Sequence, residues 1–177
     1  MKLDPERAVL VVIDVQEAFR KALPSFDDVA GASATLVQGA AEIGIPVLVT
    51  EQYPSGLGET VPEVADHFPA GTQALSKVRF SAAEAEGFDL GERDQALVCG
   101  IETHVCVNQT VLDLLDEDVE VHVAADAVGS RTEANRDAGL AKMERSGAIL
   151  TSVEMALFEL LGGSDADAFK KVQALVK

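Results

Sequence analysis

Short apolar runs alternate with helical patterns along the chain. Ala8-Val9-Leu10-Val11-Val12-Ile13 is an unbroken run rich in β-branched residues, as expected of a strand covered on both faces. It ends abruptly in Asp14. An Ala-rich helical stretch follows over residues 27–43 and stops at Gly44, and Pro46-Val47-Leu48-Val49-Thr50 reads as the second strand. Residues 51–71 carry Tyr53-Pro54-Ser55-Gly56-Leu57-Gly58 and read as a long loop with one short helix near 61–66. Loops this long in compact domains are often functional. A weak third strand, 73–77, ends in Lys77, and Ser81 is placed to cap a short helix over 81–86.

Ala96-Leu97-Val98-Cys99-Gly100 is a buried fourth strand, followed by a helix over 103–116 with Thr103 as its expected N-cap. Strands at 119–124 and 148–151 alternate with helices at 132–146, 152–161 and 165–176. Strands separated by helices mean βαβ units. The expected fold is an α/β three-layer α/β/α sandwich on a six-stranded parallel, Rossmann-like sheet, in one domain spanning residues 1–177. Sites in such sheets lie beyond the carboxyl ends of the strands. Asp14, Lys77 and Cys106 all fall there.

Composition narrows the chemistry. The chain has 177 residues, 47% of them apolar, which suits a packed globule. Thirty acidic against 14 basic residues give a net charge of −16, which argues against nucleic acid or an anionic membrane as partner. The acidity fits either a high-salt setting or an ordinary acidic enzyme. No run is long enough to span a membrane, and the start lacks signal-peptide character, so a cytoplasmic location is expected. The two cysteines make no framework of disulfides or zinc ligands. Gly56-Leu57-Gly58 does not follow a strand directly and lacks the third spaced glycine of a dinucleotide fingerprint. With no Walker-type loop either, no cofactor is expected.

Cys99 reads as a small buried hydrophobe. Cys106 sits in the first turn of a helix, where exposed N–H groups and the helix dipole stabilise a thiolate and an oxyanion. Asp14 is the candidate general base, in a partly desolvated cleft. Lys77 is a cation that keeps both ionised. Backbone N–H groups of Glu102 and Cys106 are the candidate oxyanion hole. Gln16, Phe19, Tyr53, Phe80 and His104 are candidate pocket residues, each also explicable as packing, capping or surface. His104 is two residues from Cys106, a spacing that does not share a helix face. His122, alternating with Val121 and Val123, reads as structural.

Three motifs carry a resemblance. Gly100-Ile101-Glu102-Thr103-His104-Val105-Cys106-Val107 resembles the nucleophile motif of the isochorismatase-like cysteine hydrolases. Val12-Ile13-Asp14-Val15-Gln16 resembles their first-strand motif, and Lys77-Val78-Arg79-Phe80-Ser81 their lysine segment. Thr50-Glu51-Gln52-Tyr53-Pro54 and Gln109-Thr110 are most similar to the isochorismatase-domain-containing subgroup. The resemblance implies a six-stranded parallel sheet, an Asp14–Lys77–Cys106 triad, a cis peptide at Ile101–Glu102 shaping the oxyanion hole, and a homo-oligomer of two or more chains. Nicotinamidases of the superfamily bind a metal through an Asp-x-His and a further His after strand 2. This chain has Glu51-Gln52-Tyr53 there and no histidine before His67, so no metal is expected. True isochorismatases lack the cysteine. The expected activity is metal-independent hydrolysis of a small amide or related acyl substrate. A redox-responsive, non-catalytic member is the alternative, because an activated thiolate is also oxidised readily.

Overall fold

Residues 1–177 are described by a computed structural model. Six strands form one all-parallel sheet: β1 (Ala8–Ile13), β2 (Val47–Gln52), β3 (Ala74–Lys77), β4 (Gln95–Ile101), β5 (Glu120–Gly129) and β6 (Ile149–Thr151). Their spatial order is β3-β2-β1-β4-β5-β6. Seven helices flank it: α1 (Phe26–Ile43), α2 (Pro54–Leu57), α3 (Pro62–Ala65), α4 (Asn108–Asp116), α5 (Glu133–Arg145), α6 (Val153–Leu161) and α7 (Phe169–Leu175). None is long and apolar enough to cross a membrane.

The period-two alternation of the strands feeds two cores. Leu10 and Val12 of β1 pack with α1, α3, α6 and α7 on one face. Val9, Val11 and Ile13 pack with α4 and α5 on the other. Over β2 and β3 this second face has no long helix. A single 3-10 turn, Ala82–Glu84, and the irregular chain around it lie there.

From β1 the chain winds outward to β2 and β3, then returns to the other side of β1 to begin β4. Neighbouring crossovers therefore leave in opposite directions between β1 and β4, which opens a crevice at their carboxyl ends. Gly100 makes this junction possible. It pairs with Ile13 at φ +120°, and a Cβ there would overlap the Ile13 carbonyl oxygen.

Several boundaries differ from the sequence reading. A 3-10 turn stands at 82–84 where a helix over 81–86 was expected, and α2 is an extra turn within the 51–71 loop. The expected helix over 103–116 is two pieces, a π-helical turn (Thr103–Val107) and then α4. Glu102, not Thr103, occupies the cap position, and the Thr103 hydroxyl is buried without a partner. Strand β5 runs five residues further, through a register shift against β4 between Val98 and Gly100. The extra length carries Asp126, whose Oδ1 accepts the Val153 N–H at the start of α6.

Candidate active site

Asp14 leaves β1 with φ +54°, in the left-handed region, which Asp tolerates better than most residues. Its N–H donates to the Thr50 carbonyl (3.1 Å), and its carbonyl accepts from Gln16 N (2.8 Å). The bend turns the carboxylate into the crevice, fully buried. There Oδ1 accepts the Thr50 hydroxyl (2.8 Å) and Oδ2 accepts Lys77 Nζ (2.7 Å). Lys77 comes from the end of β3, two strands away. Its side chain is 1% exposed, and its ammonium also donates to Gln52 Oε1 (2.7 Å), Phe80 O (3.0 Å) and Arg79 O (3.3 Å). A buried charge persists only when paired and solvated by dipoles of this kind.

Cys106 lies on the π-helical turn after β4 and is 5% exposed. Its thiol is close enough to Asp14 and Lys77 to feel both. Burial pushes its pKa from 9.0 up to about 12, the Asp14 charge pushes in the same direction, and Lys77 opposes them. This corrects the expectation of a resting thiolate held by a helix terminus. The closed site and the facing carboxylate both favour the thiol. Cys99 is also held near 12, by burial.

The structure therefore brings Asp14, Lys77 and Cys106 together. The Ile101–Glu102 peptide is cis, and the Glu102 carbonyl accepts from both Val105 N (3.0 Å) and Val107 N (3.3 Å). The Glu102 carboxylate points away to the β5–α5 loop, where Oε1 accepts Arg131 N and Nε, both at 3.0 Å.

The candidate pocket residues scatter. Gln16 is fully buried and braces the 51–60 loop, with Nε2 on the carbonyls of Gln52 (3.0 Å) and Gly58 (2.6 Å) and Oε1 on Gln52 N (2.8 Å). Phe19 packs against the α1-side core. Tyr53 (56% exposed) and Phe80 (51%) stand on the rim near Lys77, joined by Val78 at 78%. His104 is half-buried, with Nδ1 3.0 Å from Ser130 Oγ. His122 is buried in the sheet beside Glu120, in keeping with a structural role.

Sequence reading missed Thr50 and Gln52 as members of the site, though the alternation of β2 puts both on one face. It also missed the use of Glu51 on the opposite face, where Oε1 accepts Thr60 N (2.6 Å) and Thr60 Oγ1 (2.8 Å) and clamps the loop. His67 lies by Gln38, Glu42 and Lys171, beside α1 and α7. No three His, Cys, Asp or Glu side chains are grouped to hold a metal ion. The largest clefts bypass the triad. One of about 560 Å3 runs between Glu6, Pro46 and Arg93, and one of about 330 Å3 lies beyond the Glu102–Arg131 pair.

The chain is thus a doubly wound α/β protein with an acid, a lysine and a cysteine meeting at the switch point of its parallel sheet. The chain belongs to the isochorismatase family, whose domain model matches residues 8–155. It is 39% identical over 176 residues to isochorismatase domain-containing protein 2 of Xenopus laevis, covering 99% of this chain and 86% of the frog protein. Among solved structures it is similar to the MAR1 ribonuclease of Caenorhabditis elegans (38% identity, TM-score 0.93, covering 99% of this chain and 92% of that one). It is also similar to YcaC of Pseudomonas aeruginosa, solved with hexane-2,5-diol and covalent acrylamide (25% identity, TM-score 0.86, covering 98% and 91%). The family and fold make the chain a member of a hydrolase family.

Proposed function

We propose that the chain is a cysteine hydrolase that cleaves a small amide or related acyl substrate without a metal ion, through a thioester on Cys106. The observation that carries this reading is the buried contact of Lys77 Nζ with Asp14 Oδ2 at 2.7 Å, beside a thiol that both groups influence. Asp14 disfavours a thiolate while it is charged. When it accepts the thiol proton, that opposition disappears and Lys77 remains to stabilise the sulfur anion. Proton transfer and attack on the carbonyl carbon are thereby coupled. Backbone N–H groups at Glu102 and Cys106 receive the oxyanion. Asp14 then protonates the leaving amine and draws a proton from the water that cleaves the thioester.

Two other readings are less well supported. A redox-responsive, non-catalytic member has no need of a buried Asp14–Lys77 pair facing Cys106. The nematode relative is described as a ribonuclease, but a net charge of −16 disfavours binding a polyanion. Tyr53, Val78 and Phe80 on the rim favour a homo-oligomer, which light scattering would measure. Two free cysteines suit a reducing, cytoplasmic setting.

The test is a panel of amides and esters assayed with wild type and Cys106→Ala side by side. Turnover is expected only with wild type, together with an acyl adduct on the Cys106 peptide by mass spectrometry. An active Cys106→Ala enzyme overturns the proposal.

A further inference from the structure

Thr110 lies one helical turn after Cys106, at the start of α4, and is fully buried. Its hydroxyl makes two contacts of 2.7 Å, with the Ala82 N–H and with the Cys106 carbonyl. The amide can only donate and the carbonyl can only accept, so the hydroxyl accepts from the first and donates to the second. The second bond is an ordinary back-bond within a helix. The first is not local, since it joins α4 to the segment that follows β3.

That segment is what holds Lys77. The carbonyls of Arg79 and Phe80 accept from Lys77 Nζ, and two residues after Phe80 comes the Ala82 N–H. The connections form one continuous path from Asp14 to Cys106. Asp14 holds Lys77, Lys77 holds Phe80, the chain runs on to Ala82, Ala82 holds Thr110, and Thr110 holds the backbone of Cys106. Every other tie to Lys77 comes from β1, β2 or its own segment. The Ala82–Thr110 bond is what ties that segment by hydrogen bonding to the element carrying the cysteine.

We propose that Thr110 is a positioning residue that sets the separation between the Lys77 ammonium and the Cys106 sulfur. It touches neither reacting atom and acts through the two backbone segments it joins. For its effect on turnover the proposal rests on the cysteine-hydrolase reading. For its effect on the thiol it does not.

The experiment uses the full chain as wild type, Thr110→Val (the same shape without the hydroxyl), Thr110→Ala and Thr110→Ser. Cys106 alkylation by iodoacetamide is followed from pH 7 to 10 by mass spectrometry of its peptide, and kcat and KM are measured on any amide the substrate panel yields. Thr110→Val and Thr110→Ala are expected to slow alkylation about tenfold at a given pH, because the Lys77 segment and the Cys106 backbone are no longer tied and the ammonium, which favours the thiolate, sits farther from the sulfur. The same variants should lower kcat by about 10–100-fold with KM little changed, while Thr110→Ser stays within about threefold of wild type in both assays. Wild-type alkylation in Thr110→Val or Thr110→Ala overturns the proposal, as does a Thr110→Ser protein impaired as badly as they are. Should Thr110→Val not fold by circular dichroism, the Ala and Ser pair carries the comparison. Activity in Cys106→Ala would overturn the functional reading alone, leaving the alkylation profile to decide on Thr110.

Discussion

Replacing Lys77 with Met should unfold the protein more readily than replacing Asp14 with Asn, although each change removes one partner of the same ion pair. The asymmetry follows from what each group leaves behind. The Lys77 ammonium has three protons and four acceptors within 3.3 Å, namely Asp14, Gln52, Phe80 and Arg79. In Asp14→Asn the ammonium keeps three neutral acceptors. The new amide still reaches Thr50, and Asn tolerates the +54° φ at this position. Its cost is that of one altered hydrogen-bond set, about 1–3 kcal/mol. In Lys77→Met the Asp14 carboxylate stays fully buried with the Thr50 hydroxyl as its remaining short contact, and the Gln52 side-chain oxygen loses its donor. Removing one partner of a buried pair in this way costs about 3–5 kcal/mol. The expected gap is about 2 kcal/mol, or roughly 1 M in urea midpoint at the slope usual for small proteins. The chain has no Trp and one Tyr, so far-UV circular dichroism is the suitable probe. Protein concentration must be fixed so that assembly does not shift the midpoints. An Asp14→Asn midpoint equal to or below that of Lys77→Met would refute the partner-counting argument.

The same pair should act in opposite directions on the nucleophile. The Asp14 charge raises the Cys106 pKa and Lys77 lowers it, so Asp14→Asn should speed iodoacetamide alkylation of Cys106 at pH 8 and Lys77→Met should slow it; shifts in the same direction would contradict the cause assigned. Because the folded thiol titrates near 12 against 9.0 when unperturbed, its contribution to stability is complete below about pH 9 and is lost as pH rises toward 12. Unfolding free energy should therefore fall less steeply above pH 9 in Cys106→Ala than in wild type, and parallel curves would rule this out. Gly100→Ala places a Cβ on the Ile13 carbonyl at a left-handed φ, and the loss should be about 4 kcal/mol or more, seen as insoluble or unfolded protein on expression. A soluble, wild-type-like Gly100→Ala protein would show that β1 and β4 can separate at the site.

What the sequence determined by itself is what local pattern encodes. The β-branched run ending at Asp14, the glycine before the Cys106 turn and the regular alternation of strands and helices specified a parallel sheet. They also put Asp14, Lys77 and Cys106 at its carboxyl edge. A helical segment after β4 was legible too, but its π-helical first turn and the state of the Cys106 thiol were not. A pKa depends on burial and on charges brought in from β1 and β3, 92 and 29 residues earlier in the chain. Gln16 shows the same limit in reverse. A polar residue after a strand looks available for a ligand until the fold wraps the 51–60 loop around its amide. Thr50, Gln52 and Thr110 are ordinary polar residues in strand and helix, with no local sign of the bonds they make. Their roles exist only because the strand order β3-β2-β1-β4 sets the ends of four strands side by side. Hydrogen bonds between segments dozens of residues apart are fixed by that packing and not by neighbouring sequence, so tertiary structure alone decided how the site is held together.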